Sequence, residues 1–306
     1  MAGPPHKILL FYVFLPLPDP TAIALWQREL CERLGLRGRI ITAPQGLNGT
    51  VGGDIESLLS YIKATKSYPG MRGIDFKWSE GHRDHFPRLS VKVRSEVVAF
   101  GIPEEIKVTP EGVVGGGTHL KPKELHELFE SRPDEVVFFD GRNAFESKIG
   151  RFKNAIVPNT NTTHDFIQEI ESGKYDHLKD SPVVTYCTGG IRCEILTAAM
   201  KNRGFTDVYQ LDGGIVRYGE AYGNQGLWEG SLYVFDKRMT IDFEKDTPPI
   251  GNCEYCEAPT KNFYNCNDLV CRTLTLMCDT CHNSINSETC LHGDGVSNNR
   301  DVLLGS

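Results

Sequence analysis

Cys187 begins a short loop whose composition is typical of a nucleophile site. The loop follows the apolar segment 183–186, which predicts a strand, and precedes the segment 194–203, which predicts a helix. At such a junction backbone N–H groups converge on one point, and the positive end of the helix dipole faces it. Both effects lower the pKa of a cysteine there and favour its nucleophilic thiolate. The residues that follow Cys187 in the loop are Thr188, Gly189, Gly190 and Ile191.

Arg192 closes this loop and narrows the chemistry that we expect of it. Its fixed cation can hold an anionic group above the sulfur of Cys187. Four residues separate the two side chains, whereas cysteine phosphatases use a longer loop to wrap a phosphate. The smaller loop suits a sulfur atom carried on the cysteine or a compact oxidised thiol. The alternative is that Cys187 is an inert buried apolar residue, and the two glycines and the arginine disfavour it.

Four further cysteines have the spacing of a metal site. Cys253 and Cys256 form one CxxC pair, Cys278 and Cys281 form another, and 21 residues separate the pairs. This pattern predicts a structural zinc ion held by four thiolates. The segment around it has few large apolar side chains, so a metal would supply stability that a core cannot. The alternative is a set of free thiols.

Additional ligands in the same region allow a second zinc ion. In order along the chain, the eight candidate ligands fall into four pairs, and alternate pairs could bind separate ions in a cross-braced arrangement. The second set consists of Cys266, Cys271, Cys290 and His292.

Length and composition predict a globular protein of a reducing compartment. At 306 residues, with 40% hydrophobic and 24% charged residues, it has room for two or three globular domains. No apolar run approaches the roughly 18 residues that span a membrane. Ten cysteines without a recognisable secretion signal indicate metal binding or catalysis in the cytoplasm. The oligomeric state is left open.

The net charge of −7 argues against general affinity for nucleic acid, so any RNA contact requires a local basic patch. The segment 82–94 is a candidate, because it contains several cations and a single acid, Asp84. We therefore expect Arg88, Lys92 and Arg94 to contact phosphates. The alternative is that they form an ordinary solvated strand face.

Hydrophobic periodicity divides the chain into three parts and a linker. Residues 1–102 show the strand and helix order of a ferredoxin-like α+β domain, in which Asp54 caps the second helix and the last strand covers 89–98. Residues 103–117 contain Gly, Pro and acidic residues and are expected to form a linker. An α/β domain over 118–222 and a Cys-rich C-terminal extension over 223–306 follow.

The segment 118–222 resembles a rhodanese domain. The resemblance rests on the Cys187 loop, on the strand 136–139 that leads into Asp140, Gly141 and Arg142, and on the closing stretch 212–215. It implies a rhodanese-like α/β fold with a parallel sheet. It also implies that Asp140 and Arg142 support the active site.

Nearly the whole chain resembles the rhodanese-containing tRNA uridine(34) hydroxylases. The stretches 46–50, 89–93, 187–194 and 228–238 carry this resemblance. It implies an oxidoreductase that converts the wobble uridine in the anticodon of tRNA to 5-hydroxyuridine with molecular oxygen, and an essential cysteine at Cys187. Arg238, in the last stretch, is a further candidate for RNA binding. The sequence shows no glycine motif for a flavin and no ligand set for haem or iron.

Two mechanisms and two other functions stay open at this stage. The Cys187 thiolate can add to C6 of uracil and activate C5 towards oxygen, or Cys187 can itself be oxidised and resolved as a disulfide by Cys193. The first alternative function is a sulfurtransferase that carries a persulfide on Cys187. The second is a non-catalytic RNA- or protein-binding module built on the zinc site.

Overall fold

The N-terminal domain is a five-stranded sheet with two helices on one face. The computed structural model describes residues 5–268 and 270–284. The strand order is β4-β1-β3-β2-β5, and only the β2–β5 pair is parallel. This topology confirms the predicted ferredoxin-like fold. Its elements are β1 (His6–Phe14), α1 (Pro20–Arg33), β2 (Arg37–Ala43), β3 (Gly46–Asp54), α2 (Ile55–Ser67), β4 (Asp75–Glu80), a 3₁₀ turn (Arg83–His85) and β5 (Leu89–Val93).

Helix caps and the alternation of side chains along the strands explain the local structure of this domain. The side chain of Asp19 accepts hydrogen bonds from two N–H groups in the first turn of α1, at 3.0 and 2.9 Å. Asp54 caps α2 as predicted, through the N–H of Ser57 at 2.8 Å. In β1, Leu9 and Phe11 pack in the core that includes both helices, whereas Leu10 and Tyr12 point to the opposite face. That helix-free face lies against the central domain.

The strand predicted over 89–98 is shorter than expected. It ends at Val93, and the carboxylate of Glu96 then accepts hydrogen bonds from the N–H groups of Phe100 and Gly101 at 3.1 and 3.0 Å. This turn redirects the chain, so Val97 and Val98 leave the sheet and enter the core of the central domain. Apolar content alone could not distinguish the two destinations.

The central domain is built on a parallel four-stranded sheet. Its order is β8-β12-β11-β9, and every neighbouring pair is parallel, as the rhodanese resemblance implies. A short hairpin precedes it, and no helix in the described residues is long and apolar enough to cross a bilayer. The elements are β6 (Val108–Thr109), β7 (Gly112–Val113), β8 (Thr118–Leu120), α3 (Pro122–Ser131), β9 (Val137–Asp140), α4 (Ala144–Ser147), β10 (Gly150–Phe152), α5 (Asp165–Glu171), a 3₁₀ turn (Asp176–Leu178), β11 (Val183–Tyr186), α6 (Ile191–Asn202), β12 (Val208–Leu211) and α7 (Gly214–Tyr222).

The C-terminal extension consists of short paired strands. Its first strand, β13, pairs with β10 of the central domain, and the fully buried Trp228 packs against Phe152 there. The remaining strands form small hairpins. The elements are β13 (Trp228–Gly230), β14 (Leu232–Tyr233), β15 (Thr240–Ile241), β16 (Gly251–Asn252), β17 (Pro259–Thr260), β18 (Phe263–Asn265), β19 (Leu274–Leu276) and α8 (Asp279–Ser284).

Candidate active site and metal centre

Cys187 lies directly after β11 and before α6, as the sequence predicts. Its side chain is almost completely buried but lines a cavity. Gly190, the N-cap of α6, has a φ of +102°, a conformation that favours glycine. This conformation lets the N–H of Gly190 donate a hydrogen bond to the sulfur of Cys187 at 3.2 Å. The loop therefore directs a helix N-terminus at the sulfur.

The surroundings of Cys187 favour its thiolate. Burial opposes ionisation, but a hydrogen bond from the Cys193 thiol, the positive charge of Arg192 and backbone N–H groups together lower the pKa of Cys187 to about 6. Burial raises the pKa of Cys193 well above its ordinary value, and the neighbouring Cys187 raises it further. Cys187 is thus the thiolate, and Cys193 is the thiol that donates to it.

Arg192 lies beside the sulfur, but its guanidinium already has an anionic partner. It forms a bidentate pair with the carboxylate of Glu146 at 2.6 and 2.9 Å, and it donates to the hydroxyl of Thr188 at 3.2 Å. Both charged side chains are buried. The sequence assigned Arg192 the task of holding an anion and assigned Glu146 none. In the structure Arg192 fixes the loop and acts on Cys187 through its charge.

Asp140 and Arg142 form a second buried ion pair, behind the loop. The guanidinium of Arg142 donates to the carboxylate of Asp140 at 2.9 and 2.6 Å and to the carbonyl of Gly150 at 2.7 Å. Asp140 also accepts a hydrogen bond from Ser147 at 2.8 Å. These contacts fix the turn between β9 and α4, the helix that carries Glu146. The pair supports the site by fixing this turn and does not line the cavity.

The start of α7 holds the loop from the other side. The N–H groups of Ile215 and Val216 donate to the carbonyls of Cys187 and Thr188 at 2.9 and 3.1 Å. A side chain at Gly214 would place its Cβ 2.5 Å from the Cys187 carbonyl oxygen. The close approach of α7 therefore requires glycine there.

The cavity in front of Cys187 has a volume of about 320 Å³ and is lined by all three parts of the chain. The central domain contributes the cysteine loop, the extension contributes residues 234–241, and the helix-free face of the N-terminal sheet forms the opposite wall. Tyr12 of that wall donates to Glu194 of α6 at 3.0 Å, so the two domains are joined beside the loop. The polar residues of this wall include Tyr12, Arg39, Asn48, Thr50, Lys77 and Lys92.

Three of the four predicted RNA contacts lie together at the edge of this wall. Burial lowers the pKa of Lys92, and the charges of Arg94, Arg88 and Arg39 lower it further, so these cations form one cluster. Sequence reasoning missed Arg39, which lies outside the segment 82–94. Arg238 is placed differently: it pairs with Asp236 at 2.8 Å and donates to Ser79 at 2.9 Å.

The two CxxC pairs meet in space as a group of four sulfurs. Those of Cys253, Cys256, Cys278 and Cys281 all lie within 4.8 Å of one another, and two of them are 3.6 Å apart. Ligands at the zinc–thiolate distance of about 2.3 Å in a tetrahedron are about 3.8 Å apart. The donor set therefore fits a metal ion.

The second set of candidate ligands is only partly within the described residues. Cys266 and Cys271 do not belong to the group of four sulfurs. The sulfur of Cys271 lies 3.1 Å from the hydroxyl of Thr273. Cys290 and His292 lie outside the described residues. A second metal site stays a prediction.

Comparison with known proteins places this architecture in a class. Family models match a UPF0176 acylphosphatase like domain over residues 6–97, a rhodanese-like domain over 121–221 and a rhodanase C-terminal segment over 229–293. With the Cys187 loop, these matches define a rhodanese-like protein that carries an acylphosphatase-like domain in front and a Cys-rich segment behind.

Individual relatives narrow this class. The chain is 64% identical over 285 residues to the tRNA uridine(34) hydroxylase of Corynebacterium glutamicum strain R, covering 93% of this chain and 91% of that protein. It is 62% identical over 291 residues to the proteins of the same name from Corynebacterium efficiens (95% and 93% covered) and Pseudarthrobacter chlorophenolicus (94% and 98% covered). The chain belongs to the tRNA uridine(34) hydroxylase family.

Proposed function

We propose that this chain hydroxylates C5 of the wobble uridine in the anticodon of tRNA, with Cys187 as the nucleophile and molecular oxygen as co-substrate. Family membership supports the reaction class. The observation that carries the role of Cys187 is its position: a sulfur with a pKa of about 6 faces a cavity of about 320 Å³. That volume is at the lower end of the range for small-ligand sites, and it suits a single nucleotide turned out of the anticodon loop.

The chemistry of uracil requires a nucleophile that attacks C6. C5 reacts poorly with oxygen until C6 is attacked, because only then does electron density accumulate at C5 as an enolate. The Cys187 thiolate adds to C6, and it leaves again when the proton at C5 departs and the ring regains its double bond. Arg192 and the start of α6 stabilise the thiolate before it attacks C6. They stabilise it again when it leaves C6.

Electron balance assigns a task to Cys193. One atom of molecular oxygen goes to C5 and the other becomes water, which requires two electrons from a reductant and two protons. Addition of oxygen to the enolate leaves a hydroperoxide on C5. Once Cys187 has left C6, oxidation of its thiolate and the Cys193 thiol to a disulfide supplies the two electrons that break the O–O bond and one of the protons, and solvent supplies the other proton. The hydrogen bond between the two side chains places them for this step. An external thiol must then reduce the disulfide before the next turnover.

The rim of the cavity binds tRNA, and the metal site stabilises the extension. We assign phosphate contacts at the rim to Arg88, Lys92 and Arg94. The four-sulfur group binds a structural zinc ion that crosslinks the extension and takes no part in the reaction. The reaction takes place in the cytoplasm, where its tRNA substrate is found.

Nucleoside mass spectrometry of tRNA tests this proposal. Cells that lack the protein should lose 5-hydroxyuridine at position 34, and the wild-type gene should restore it. Growth under heavy oxygen gas should place the heavy isotope in the restored nucleoside. Unchanged modification in the deletion strain would contradict the function. Label that enters only from water would contradict the role of molecular oxygen. Thiosulfate-to-cyanide transfer without any tRNA modification would favour a sulfurtransferase.

A further inference from the structure

The cavity wall formed by the N-terminal sheet carries polar side chains that the protein itself leaves unpaired. Within residues 5–268 and 270–284, four side chains of this wall make no hydrogen bond or ion pair: Arg39, Asn48, Thr50 and Ser90. All four are half-buried. Burial lowers the pKa of the Arg39 guanidinium, although the charge of the Asp236 carboxylate counteracts it. Such groups are normally satisfied by water or by a ligand.

Strand register places these residues in two adjoining rows. Arg39 pairs across the sheet with Thr50 on one side and with Ser90 on the other. Asn48 occupies the next row, where its neighbours are Tyr12 and Ile41. Cross-strand partners point to the same face. The unpaired groups therefore form one continuous polar surface opposite the cysteine loop.

The strand order gives this surface a direction. The cysteine loop lies over β1, because a Cβ on Gly190 would be 2.9 Å from the Tyr12 hydroxyl. From β1 the sheet continues through β3, β2 and β5, with about 4.8 Å between neighbouring strands. Asn48 on β3 is therefore one strand from the loop, and Arg39 on β2 is two strands from it. The exposed Arg88 and Arg94 lie beyond, at the rim.

The chemistry of a uridine nucleotide matches the side chains of this surface. The Watson–Crick edge of uracil presents an N–H donor between two carbonyl acceptors. The side-chain amide of Asn48 offers one acceptor and a donor group, so it can pair with two neighbouring atoms of that edge. The phosphate lies at the other end of the nucleotide. A guanidinium such as that of Arg39 binds phosphate oxygens through two parallel N–H groups.

We propose that the helix-free face of the N-terminal sheet binds the reacting nucleotide, with Asn48 on the Watson–Crick edge of the uracil and Arg39 on the phosphate of the same nucleotide. This proposal rests on the proposed function and assigns the binding contacts that bring C6 to Cys187. Asn48 is a specificity-determining residue, and Arg39 is the innermost cation of the basic cluster at the rim.

Salt dependence of binding tests the role of Arg39. A Cys187→Ser background prevents turnover, and the probe is an anticodon stem-loop RNA with uridine at position 34. Arg39→Gln should weaken binding and reduce the slope of log affinity against log salt by about 0.7 to 0.9. Arg39→Lys should keep that slope.

Arg37→Gln is the matched control for Arg39. Arg37 lies two residues away on the same strand and pairs with Asp84 at 2.9 Å, so its replacement should leave the slope unchanged. An unchanged slope in Arg39→Gln, or an equal reduction in both variants, would overturn the phosphate contact.

A chemically modified probe tests the role of Asn48. The same RNA with 3-methyluridine at position 34 lacks the N–H donor. Methylation should weaken binding to the Asn48-containing protein by about tenfold or more. In Asn48→Ala, which removes the amide and leaves space for the methyl group, the two probes should bind within about twofold of each other, because the lost contact is already absent. An equal penalty in both proteins would overturn the contact.

The outcomes also separate this proposal from the proposed function. The function fails if the wild-type protein does not restore 5-hydroxyuridine to tRNA. The function stands if the wild-type protein restores it. The nucleotide site is then wrong if Arg39→Gln and Asn48→Ala restore it equally well and bind both probes as their parent does.

Discussion

The cysteines of the central domain and those of the extension lie in opposite electrostatic surroundings. Cys187 lies in the central domain, where its negative charge is balanced by a helix N-terminus and by Arg192. The four sulfurs of the extension, beginning with Cys253, face one another within 4.8 Å. One group has compensating charge supplied by the protein, and the other places its potential negative charges together.

The source of the balancing charge decides what chemistry each group can perform. A single thiolate stabilised by fixed donors keeps its lone pair free for a carbon or sulfur electrophile. Four thiolates at this separation repel one another unless a cation lies among them, and a metal ion fulfils that need. A thiolate is thus reactive where the protein supplies the balancing positive charge, and it binds metal where a metal ion must supply it. Perturbing one of these groups should therefore leave the other unaffected.

Metal removal should have the largest effect, and it should be confined to the extension. Purified protein should contain at least one zinc per chain by elemental analysis. A chelator should make residues 251–284 sensitive to protease, because zinc binding at such sites contributes about 10–16 kcal/mol. Cys278→Ser should have the same effect, whereas Cys266→Ser, outside the group of four, should keep the zinc ion that this group holds. A metal-free extension that resists protease would contradict the assignment.

Breaking the buried pair of Glu146 and Arg192 beside Cys187 should have the next largest effect. Glu146→Gln leaves Arg192 buried without its anion, and we expect the free energy of unfolding to fall by about 3–5 kcal/mol. Denaturant unfolding measures this change. The control is Glu229→Gln at the exposed pair with Arg151, 3.7 Å apart, which should cost about 0–1 kcal/mol. Equal losses in the two variants would show that the Glu146 pair is not special.

Alkylation of Cys187 should depend on pH in a defined direction. Because its pKa is about 6, the sulfur is a thiolate above pH 6 and a thiol below it. The rate of reaction with iodoacetamide should be constant above this value and fall about tenfold per unit below it. Burial raises the pKa of Cys31 to about 12, so that cysteine should stay unmodified in the native protein. Peptide mass spectrometry follows both, and a midpoint for Cys187 near that of a free cysteine would contradict the thiolate.

The smallest predicted effect concerns which region contacts tRNA. Reversing the charge of Arg88 or Arg94 should weaken binding and reduce its salt dependence by about one phosphate contact each. Arg272→Glu, an exposed position in the extension, is the matched control and should change neither. Titrations with tRNA at several salt concentrations decide between them. A larger effect at Arg272 would move the RNA contact to the extension.

Local sequence signals were sufficient to place Cys187 between a strand and a helix and to predict the ferredoxin-like fold of the N-terminal domain, whereas the fold of the central domain was predicted from its resemblance to rhodanese domains. The loop glycines, the caps at Asp19 and Asp54 and the CxxC spacing act over a few residues, so they can be read from the chain. The pairing of Arg192 with Glu146 joins residues 46 positions apart. The cavity wall depends on how two domains pack. No local signal shows that Arg39 and Asn48 face Cys187, because only the packing of the helix-free sheet face brings them there.

The most direct test of the account is nucleoside mass spectrometry of tRNA from a deletion strain that expresses Cys187→Ser. We expect no 5-hydroxyuridine at position 34 in this strain, although the variant protein should unfold at the same denaturant concentration as wild type. Cys266→Ser, expressed in parallel, should restore normal levels. Normal modification by folded Cys187→Ser would contradict the claim that this cysteine performs the reaction.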